Sequence, residues 1–190
     1  MNIRITETNM DRGKGEGLAA LFNQHLGTGV GAEIGCAYGG HAEIILRAWK
    51  GTRLWMVDPW VDQPKEIYRE ATEDHFYDEW FAQVHGMMLK DCRISIIRDF
   101  SVNAAPLLAD GSLDWVYIDG NHSDEATTED LNAWYPKVRW GGIFCGHDFY
   151  DSDVSPYHVF TKRAVLRWMG ENGYTEVEHT KCDGWVIYKK

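Results

Sequence analysis

The sequence predicts one α/β domain built on a doubly wound, mostly parallel sheet whose last strand runs antiparallel to the others. Strand-like and helix-like patterns alternate along the 190 residues, which is typical of a parallel sheet covered by helices on both faces. Near the end, two strand-like runs at 174–180 and 184–189 are joined by only three residues. A link this short allows an antiparallel hairpin but excludes a parallel crossover. Counted together, the patterns predict seven strands.

The first half of the chain supplies a helix, two strands and the helix between them. Apolar residues recur on one side of 16–26, so residues 1–28 are expected to form an N-terminal helical segment. The stretch 30–40 is a short apolar run that breaks into glycines, and a helical pattern follows at 41–49. The run 54–58 predicts a second buried strand, which ends in a carboxylate.

The second half continues the alternation after one irregular stretch. Residues 59–92 are rich in acids and aromatics, carry an amphipathic helical pattern within 77–88, and are expected to form a lid-like insertion. The remaining predicted elements are a strand at 93–98, a helix at 102–109, a strand at 114–119, a helix at 127–135, a strand at 141–146, and a helix that starts at Ser155 and Pro156 and runs to about Met169.

The composition predicts a single soluble domain over 1–190 and excludes several kinds of partner. The formal net charge of -10 and the pI near 5.2 argue against nucleic acid and anionic membranes, which call for a basic surface. No apolar run is long enough to span a bilayer, and the first residues lack the apolar stretch of a signal peptide. The four cysteines are scattered, so we expect reduced thiols and a cytoplasmic location. A homo-oligomer stays open.

The glycine turn at 35–40 allows three interpretations. Glycines let the chain turn sharply and let a ligand approach, and the following helix N-terminus favours an anionic group. The turn is a degenerate dinucleotide fingerprint, but Ala37 stands where the second glycine belongs, which weakens the case for NAD or FAD. The alternative pattern is Glu33-x-Gly35-x-x-x-Gly39. A glycine-containing turn without any ligand is the third interpretation.

Two further blocks identify a family. The first is Ile118-Asp119-Gly120-x-His122, and the second is Gly141-Gly142 followed by His147-Asp148. Together with the pattern at 33–39 they closely resemble the type 24 family of class I S-adenosylmethionine-dependent methyltransferases, relatives of catechol and sugar O-methyltransferases. The resemblance runs from about 30 to 169, and the seven-stranded sheet with a reversed last strand matches this class. Two residues depart from the family pattern, namely Asp124 in place of an aromatic residue and Trp140 in place of proline.

The resemblance implies a cofactor site made of strand ends. Asp58, at the end of the second strand, would hold the ribose hydroxyls, as an acid at that place typically does. Asp99 would reach the adenine amino group and Phe100 would cover the ring, although a plain loop is the alternative there. The full set of expected cofactor-binding residues is Glu33, Gly35, Tyr38, Gly39, His41, Asp58, Asp99, Phe100 and Asp119.

Chemistry is expected where the fourth and fifth strands end. Asp119 and His122 leave one strand and His147 and Asp148 leave the other, so two carboxylates and two imidazoles should meet near the transferable methyl group. Left unpaired, the carboxylates would repel and one would stay protonated. In metal-using relatives the matching acids hold magnesium, which implies a site for Mg²⁺ or Mn²⁺ at Asp119 and Asp148 with His147 beside them. The candidate catalytic residues are His147 as general base, Asp119 and His122.

The expected function is transfer of a methyl group from S-adenosylmethionine to an oxygen of a small-molecule acceptor, assisted by a divalent metal. The alternatives are a metal-free methyltransferase acting on nitrogen or on a protein, an NAD-dependent oxidoreductase, and a ligand-binding module without catalysis. Purely structural roles also stay open, since Asp119 can cap a turn, His122 can hold a loop, and the aromatic residues within 77–88 can belong to the core.

Overall fold

The computed structural model describes residues 2–8, 14–64, 76–154 and 157–190. Its elements in chain order are β1 (Arg4–Thr8), α1 (Lys14–Leu26), β2 (Val30–Ile34), α2 (Gly40–Ala48), β3 (Arg53–Asp58), α3 (Tyr77–Met88), β4 (Ile94–Arg98), α4 (Ser101–Ala104), β5 (Leu113–Ile118), α5 (Asp124–Trp134), β6 (Val138–Gly146), β7 (Ser152–Val154), β8 (Tyr157–Val159), α6 (Thr161–Glu171), β9 (Glu176–Thr180) and β10 (Trp185–Tyr188).

The main sheet has eight strands in the order β1-β9-β10-β6-β5-β2-β3-β4. β10 runs antiparallel to both of its neighbours, β9 and β6, whereas the other pairs are parallel. The strand order reverses at β2, the strand that leads into the glycine turn. Its neighbours in the sheet are β3 on one side and β5 on the other. The predicted α/β class and the reversed last strand are therefore confirmed.

The strand count differs from the predicted seven. Residues 1–28 were expected to be helical, but Arg4–Thr8 forms an edge strand that pairs in parallel with β9. Its exposed side chains carry no periodic apolar signal, so its assignment depends on pairing with a distant strand. Across this edge, Arg4 Nη1 lies 3.6 Å from Glu176 Oε1 and His179 Nδ1 lies 3.0 Å from Glu7 Oε1.

The helix expected to start at Ser155 and Pro156 begins later. Those two residues lie outside the described chain, and the residues directly after them form β8, which pairs antiparallel with β7. Asp153 lies opposite His158, whose Nδ1 is 2.6 Å from the Asp153 carboxylate. The prediction of a helix from 155 was wrong, because this small hairpin intervenes and α6 begins only at Thr161.

Large aromatic side chains fill both faces of the sheet. On one face Phe144, Trp168 and Trp185 are buried between the sheet and α5 and α6. On the other, the rings of Phe22 and Trp115 stack at 4.3 Å beneath α1 and α2. Burial of this apolar surface holds the helices against the sheet. It also fixes the strand ends, so that the loops after β2, β3, β5 and β6 leave the same edge.

Candidate functional site

The turn between β2 and α2 has a backbone shape that its glycines make accessible. Gly35 and Gly39 have φ of +84° and +83°, in the left-handed region that favours glycine. A Cβ at Gly35 would lie 2.1 Å from the carbonyl oxygen of Asp119, so a side chain there would also collide with the end of β5. Ala37, which replaces the second glycine of a dinucleotide fingerprint, takes φ of +45°.

Asp58 ties this turn to the end of β3. Its Oδ2 accepts hydrogen bonds from the backbone N–H groups of Cys36 and Ala37, both at 3.0 Å, and its Oδ1 accepts one from Trp60 N–H at 2.8 Å. Burial raises the pKa of the Asp58 carboxyl, and the three backbone donors oppose that rise. The residue expected to hold a ribose thus also shapes the loop beside it.

Trp60 is a site residue that the sequence analysis did not identify. Its indole Nε1 donates to the carbonyl oxygen of Ala37 at 2.7 Å, while its backbone N–H bonds Asp58. The side chain is 1% exposed and the backbone φ is +42°, a strained value for an aromatic residue. Arg98 holds it there by donating to the Trp60 carbonyl oxygen at 2.8 Å. In the sequence, the available signal was a Trp directly after Asp58-Pro59.

A cleft of about 260 Å³ opens beside Asp58. It reaches from the glycine turn, past the ends of β3 and β5, to the start of α4 and one side of α5. Its lining residues are Ile34, Gly35, Ala37, Val57, Asp58, Pro59, Gln63, Tyr77, Trp80, Phe100, Ser101, Val102, Asp119, Gly120, Asn121, Ala126, Glu129 and Asp130. Of the nine residues expected to bind the cofactor, Gly35, Asp58, Phe100 and Asp119 line this cleft.

The structure places Asp99 and Phe100 differently from each other. Phe100 is 44% exposed and lines the cleft, as expected for a ring that covers a base. Asp99 does not line it, and its Oδ1 accepts hydrogen bonds from the Phe100 backbone N–H at 2.7 Å and from Asn103 Nδ2 at 3.0 Å. Asp99 therefore orders the start of α4. The buried acid that does line this end of the cleft is Asp130 on α5.

Glu33, Tyr38 and His41 lie around the turn without lining the cleft. Glu33 is 1% exposed, and its Oε1 lies 2.9 Å from His41 Nδ1. Burial raises the pKa of the Glu33 carboxyl, with His41 acting in the opposite direction. The His41 ring stacks on Tyr117 at 4.3 Å, which holds it against β5. Tyr38 is exposed, and its ring lies 6.3 Å from that of Trp80.

The ends of β5 and β6 bring four titratable side chains together, as the sequence predicts. His122 Nε2 lies 2.9 Å from Asp148 Oδ2 and 3.4 Å from Asp119 Oδ1. His147 Nδ1 lies 2.9 Å from the same Asp148 oxygen and 3.9 Å from Asp119 Oδ1. We call these four residues the acid–histidine cluster. Asp119 belongs both to the cluster and to the cleft, so the two are contiguous.

The electrostatics of the cluster differ from the expected repulsion between carboxylates. Burial on its own would raise the pKa of Asp148, but the hydrogen bonds from His122 and His147 outweigh burial and hold this pKa well below its usual range. Asp148 is therefore ionised and accepts two imidazole N–H groups. The expectation that one carboxylate would stay protonated applied to an unpaired pair of acids, and in the structure the two histidines supply donors to Asp148. Asp148 also has φ of +54°, in the left-handed region that few residues other than glycine adopt.

Three of the four residues form a group that can hold a cation. One ligand atom from each of Asp119, His122 and Asp148 lies within 4.8 Å of the other two. Two carboxylates and one imidazole suit Mg²⁺ less well than Mn²⁺ or another transition ion, because a nitrogen donor is softer than oxygen. The expected set named His147 in place of His122. Instead, His147 orients Asp148 through Nδ1, and its buried Nε2 has no hydrogen-bond partner within the described residues.

The two residues that depart from the family pattern have separate explanations. Asp124 begins α5, and its carboxylate pairs with Arg163 Nε at 2.9 Å and with both terminal nitrogens of Arg167. The hydrogen bonds from Arg167 lower the pKa of Asp124. It thus ties α5 to α6 and does not line the cleft. Trp140, near the start of β6, is 72% exposed and lies away from the cluster.

The segment expected to form a lid is described only in part. Residues 65–75, with half of its acids, lie outside the described chain. In the described part, Val84 of α3 is buried in the core, whereas Tyr77 and Trp80 line the cleft. The aromatic pattern within 77–88 therefore serves both the core and the cleft, and closure of a lid over it stays a prediction. Among the helices of the described residues, none has the length and apolarity to cross a membrane.

Comparisons with known proteins agree with this geometry. A model of the type 24 methyltransferase domain family matches residues 32–149. A protein of known structure from Corynebacterium glutamicum is 18% identical, with a TM-score of 0.63 over 94% of this chain and 81% of its own. The O-methyltransferase NovP is 19% identical, with a TM-score of 0.59 over 91% of this chain and 76% of its own.

An N-methyltransferase shares the fold as well. The Burkholderia thailandensis 1,6-didemethyltoxoflavin-N1-methyltransferase, solved with S-adenosylhomocysteine, is 15% identical, with a TM-score of 0.58 over 95% of this chain and 80% of its own. At these identities the likeness establishes a common fold. It does not select the atom that is methylated, since oxygen and nitrogen methyltransferases are similar to the chain to the same degree.

Proposed function

Because the chain belongs to the type 24 family of methyltransferase domains and is thus an S-adenosylmethionine-dependent methyltransferase, we propose that it methylates an oxygen atom of a small-molecule acceptor. The observation that carries this proposal is the position of Asp119, which is part of both the cleft and the acid–histidine cluster. A cofactor in the cleft would therefore present its methyl group beside groups that remove a proton. A hydroxyl acceptor needs such groups, because neutral alcohols and phenols are weak nucleophiles.

The cleft residues supply the donor half of the reaction. The Asp58 carboxylate has acceptor capacity left beyond its three backbone donors and would take the ribose hydroxyls. Phe100 would cover the adenine ring, and the turn at Gly35 would lie along the methionine part. Holding donor and acceptor in line lowers the barrier by several kcal/mol or more, because the orientational entropy has already been lost on binding.

The cluster supplies the acceptor half. In the proposed step, an imidazole takes the acceptor O–H proton while an oxygen lone pair forms the new C–O bond. The C–S bond breaks, and its electron pair returns to sulfur to give neutral S-adenosylhomocysteine. The carboxylates of Asp119 and Asp148 stabilise the imidazolium that forms on His122. We favour His122 over His147 as the base, because His147 is buried together with its Nε2, whereas His122 is half-buried.

The same three residues would hold a divalent cation, which is the second form of the proposal. Asp119, His122 and Asp148 fit such an ion, which would take the place of the imidazole proton between them. A bound cation would act as a Lewis acid that lowers the pKa of the acceptor hydroxyl. Mn²⁺ suits the mixed donor set better than Mg²⁺. The cation-free form is favoured by one observation, namely that both imidazoles already lie within hydrogen-bond distance of the Asp148 carboxylate.

The proposal is tested in two stages. Isothermal calorimetry with S-adenosylhomocysteine, with NAD as the matched control, should show binding of the first and none of the second. The protein is then incubated with S-adenosylmethionine and a panel of phenols, sugar hydroxyls and primary amines, and S-adenosylhomocysteine is measured by mass spectrometry. Turnover with hydroxyl acceptors supports O-methylation, whereas turnover with amines alone would contradict it. We place the active form in the cytoplasm, acting on free small molecules; its acidic surface argues against nucleic acid as the acceptor.

A further inference from the structure

The far end of the cleft contains a buried acid that neither the ribose contact nor the acid–histidine cluster uses. Asp130 lies on α5, is 5% exposed and lines the cleft together with Ser101. Burying a carboxylate without a compensating partner is costly, so such a side chain calls for hydrogen-bond donors. Within the described residues, Ser101 Oγ donates one hydrogen bond to Asp130 Oδ1. No Lys or Arg lines this cleft in the described residues.

The Ser101 hydroxyl lies between Trp134 and Asp130 and bonds both. Trp134 Nε1 lies 2.7 Å from Ser101 Oγ, and an indole N–H can only donate. The serine oxygen therefore accepts from Trp134, and its single proton is left for the ionised Asp130 carboxylate, which can only accept. The hydrogen bond from Ser101 occupies Oδ1 of Asp130. The second oxygen, Oδ2, lies 3.4 Å from where a Cβ on Gly120 would stand, at the floor of the cleft.

The surroundings of Asp130 suit a flat base. Phe100, Val102 and Ala126 line the same end of the cleft and supply apolar contacts. Gly120 has no side chain, which leaves the floor open in front of the carboxylate. A group that fits here is planar and apolar on its faces, and carries an N–H donor on its edge to pair with the carboxylate.

We propose that Asp130, held by Ser101, is the residue that selects adenine in the cofactor by accepting a hydrogen bond from its exocyclic amino group. This inference rests on the proposed binding of S-adenosylmethionine in the cleft, and it assigns to Asp130 the role that the sequence analysis gave to Asp99. The Asp99 carboxylate instead accepts hydrogen bonds from Phe100 and Asn103 at the start of α4. Asp130 thus discriminates an amino purine from a keto purine, whose oxygen at the same place would face the carboxylate as a second acceptor.

The protonation state of Asp130 supports this role. Burial raises the pKa of Asp130 to about 7, while the Ser101 hydrogen bond opposes that rise. A ligand N–H favours the ionised carboxylate, so adenine binding should strengthen as pH rises toward 7 and level off above it. Other groups that titrate or carry charge nearby are Glu129 and His122, which act on the Asp130 carboxyl, and Asp58 and Asp119 elsewhere in the cleft.

The test compares S-adenosylhomocysteine with S-inosylhomocysteine, in which a keto oxygen replaces the adenine amino group. Calorimetry on the parent protein at pH 8 should show at least tenfold tighter binding of the adenine compound. In Asp130→Asn the Ser101 proton holds the amide oxygen, so the amide NH₂ faces the cleft and would pair with a keto oxygen. The preference should therefore fall to parity or invert in Asp130→Asn, and its pH dependence between 6 and 8 should flatten.

Glu125→Gln is the matched control, because Glu125 is an exposed acid of the same helix that does not line the cleft, so this change should leave the discrimination as in the parent. Equal binding of the two compounds by the parent would overturn the assignment, as would an unchanged preference in a folded Asp130→Asn. If Asp130→Asn fails to fold, the parent discrimination and its rise between pH 6 and 7 decide the matter. Absence of any binding of S-adenosylhomocysteine to the parent would instead refute the proposed function itself.

Discussion

Asp148 Oδ2 lies 2.9 Å from His122 Nε2, across the gap between the ends of β5 and β6. An ionised carboxylate can only accept, so the imidazole carries the proton between them. His147 makes an equivalent contact to the same oxygen at 2.9 Å. The cluster therefore has a proton where a divalent cation would otherwise bind. In the cation-free form of the proposal His122 is the base, whereas in the other form it is a ligand of the cation.

Removing an imidazole should lower turnover in a pH-dependent way. If His122 is the base, His122→Ala should lose on the order of 100-fold or more in kcat at neutral pH with a phenolic acceptor, since general base catalysis contributes that much. The loss should shrink at high pH, where the acceptor ionises unaided. His147→Ala is the comparison and should show a smaller loss, because it acts on Asp148. A full pH–rate profile for each variant is the measurement, and an equal loss at all pH values in His122→Ala would contradict a base.

A bound cation would be visible without activity. Thermal denaturation with and without millimolar Mn²⁺ should show an upward shift for the parent if the cluster holds the ion, because a ligand of the native state stabilises by mass action, by about 2.7 kcal/mol at 100 times its Kd. Asp119→Asn should lose the shift. Asp110→Asn removes an exposed acid that precedes β5 and serves as control. Full turnover in excess chelator would leave only the cation-free form.

Much of the fold could be predicted from the sequence because its signals are local. Apolar runs, glycine turns and the short link before β10 give the parallel sheet and its reversed last strand. The edge strand β1 could not be predicted, because its exposed side chains carry no pattern and only its pairing with β9 defines it. The hairpin β7–β8 was missed for a similar reason, as strands of three residues are too short to show a period.

For the site, too, residues with a local sequence signal were predicted and residues that depend on tertiary contacts were not. Asp58, Asp119 and Asp148 were found because each lies at the end of a strand or within two residues of it, and the ends of parallel strands meet at one edge. Trp60 and Asp130 were missed, because their roles depend on tertiary contacts with Ala37 and Ser101. An aspartate in the middle of a helix gives no hint of burial. Only the structure shows that Asp130 lines the cleft.

Asp58 should be tested for two separable effects. Asp58→Ala removes the acceptor for the ribose and should weaken S-adenosylhomocysteine binding by about 1–3 kcal/mol, which is the cost of leaving a buried partner unpaired. It also removes the acceptor of the Cys36 and Ala37 amides, so the melting temperature should fall. Asp58→Asn keeps one acceptor and should retain more of both. Calorimetry and thermal denaturation measure the two effects, and parent-like affinity in Asp58→Ala would remove this residue from the site.

Trp60 should couple the glycine turn to cofactor affinity. Trp60→Phe keeps an aromatic ring but loses the 2.7 Å hydrogen bond to Ala37, so we expect about 0.5–1.5 kcal/mol of lost stability. Because that bond fixes the turn facing the cleft, affinity for S-adenosylhomocysteine should fall as well. Trp49→Phe is the control, since Trp49 is buried in the core away from the cleft and its Nε1 has no partner within the described residues. An affinity loss equal in both variants would mean that Trp60 acts through stability alone.

Asp130 should make the free protein less stable as pH rises. Its pKa is raised to about 7 in the folded state, mainly by burial, against about 3.9 for an unperturbed aspartate. The folded state therefore keeps a proton that the unfolded chain releases, so this group favours folding less and less as pH climbs from about 4 to 7. Asp130→Asn cannot ionise, and its stability relative to the parent should increase across that window. At about 1.4 kcal/mol per pKa unit, the gain has an upper bound of about 4 kcal/mol. Urea denaturation of both proteins at pH 5.5 and pH 8 gives the two differences. The quantity to compare is the difference in unfolding free energy between Asp130→Asn and the parent. If this difference stays constant or becomes smaller toward pH 8, Asp130 is ionised in the free protein and Ser101 stabilises its charge.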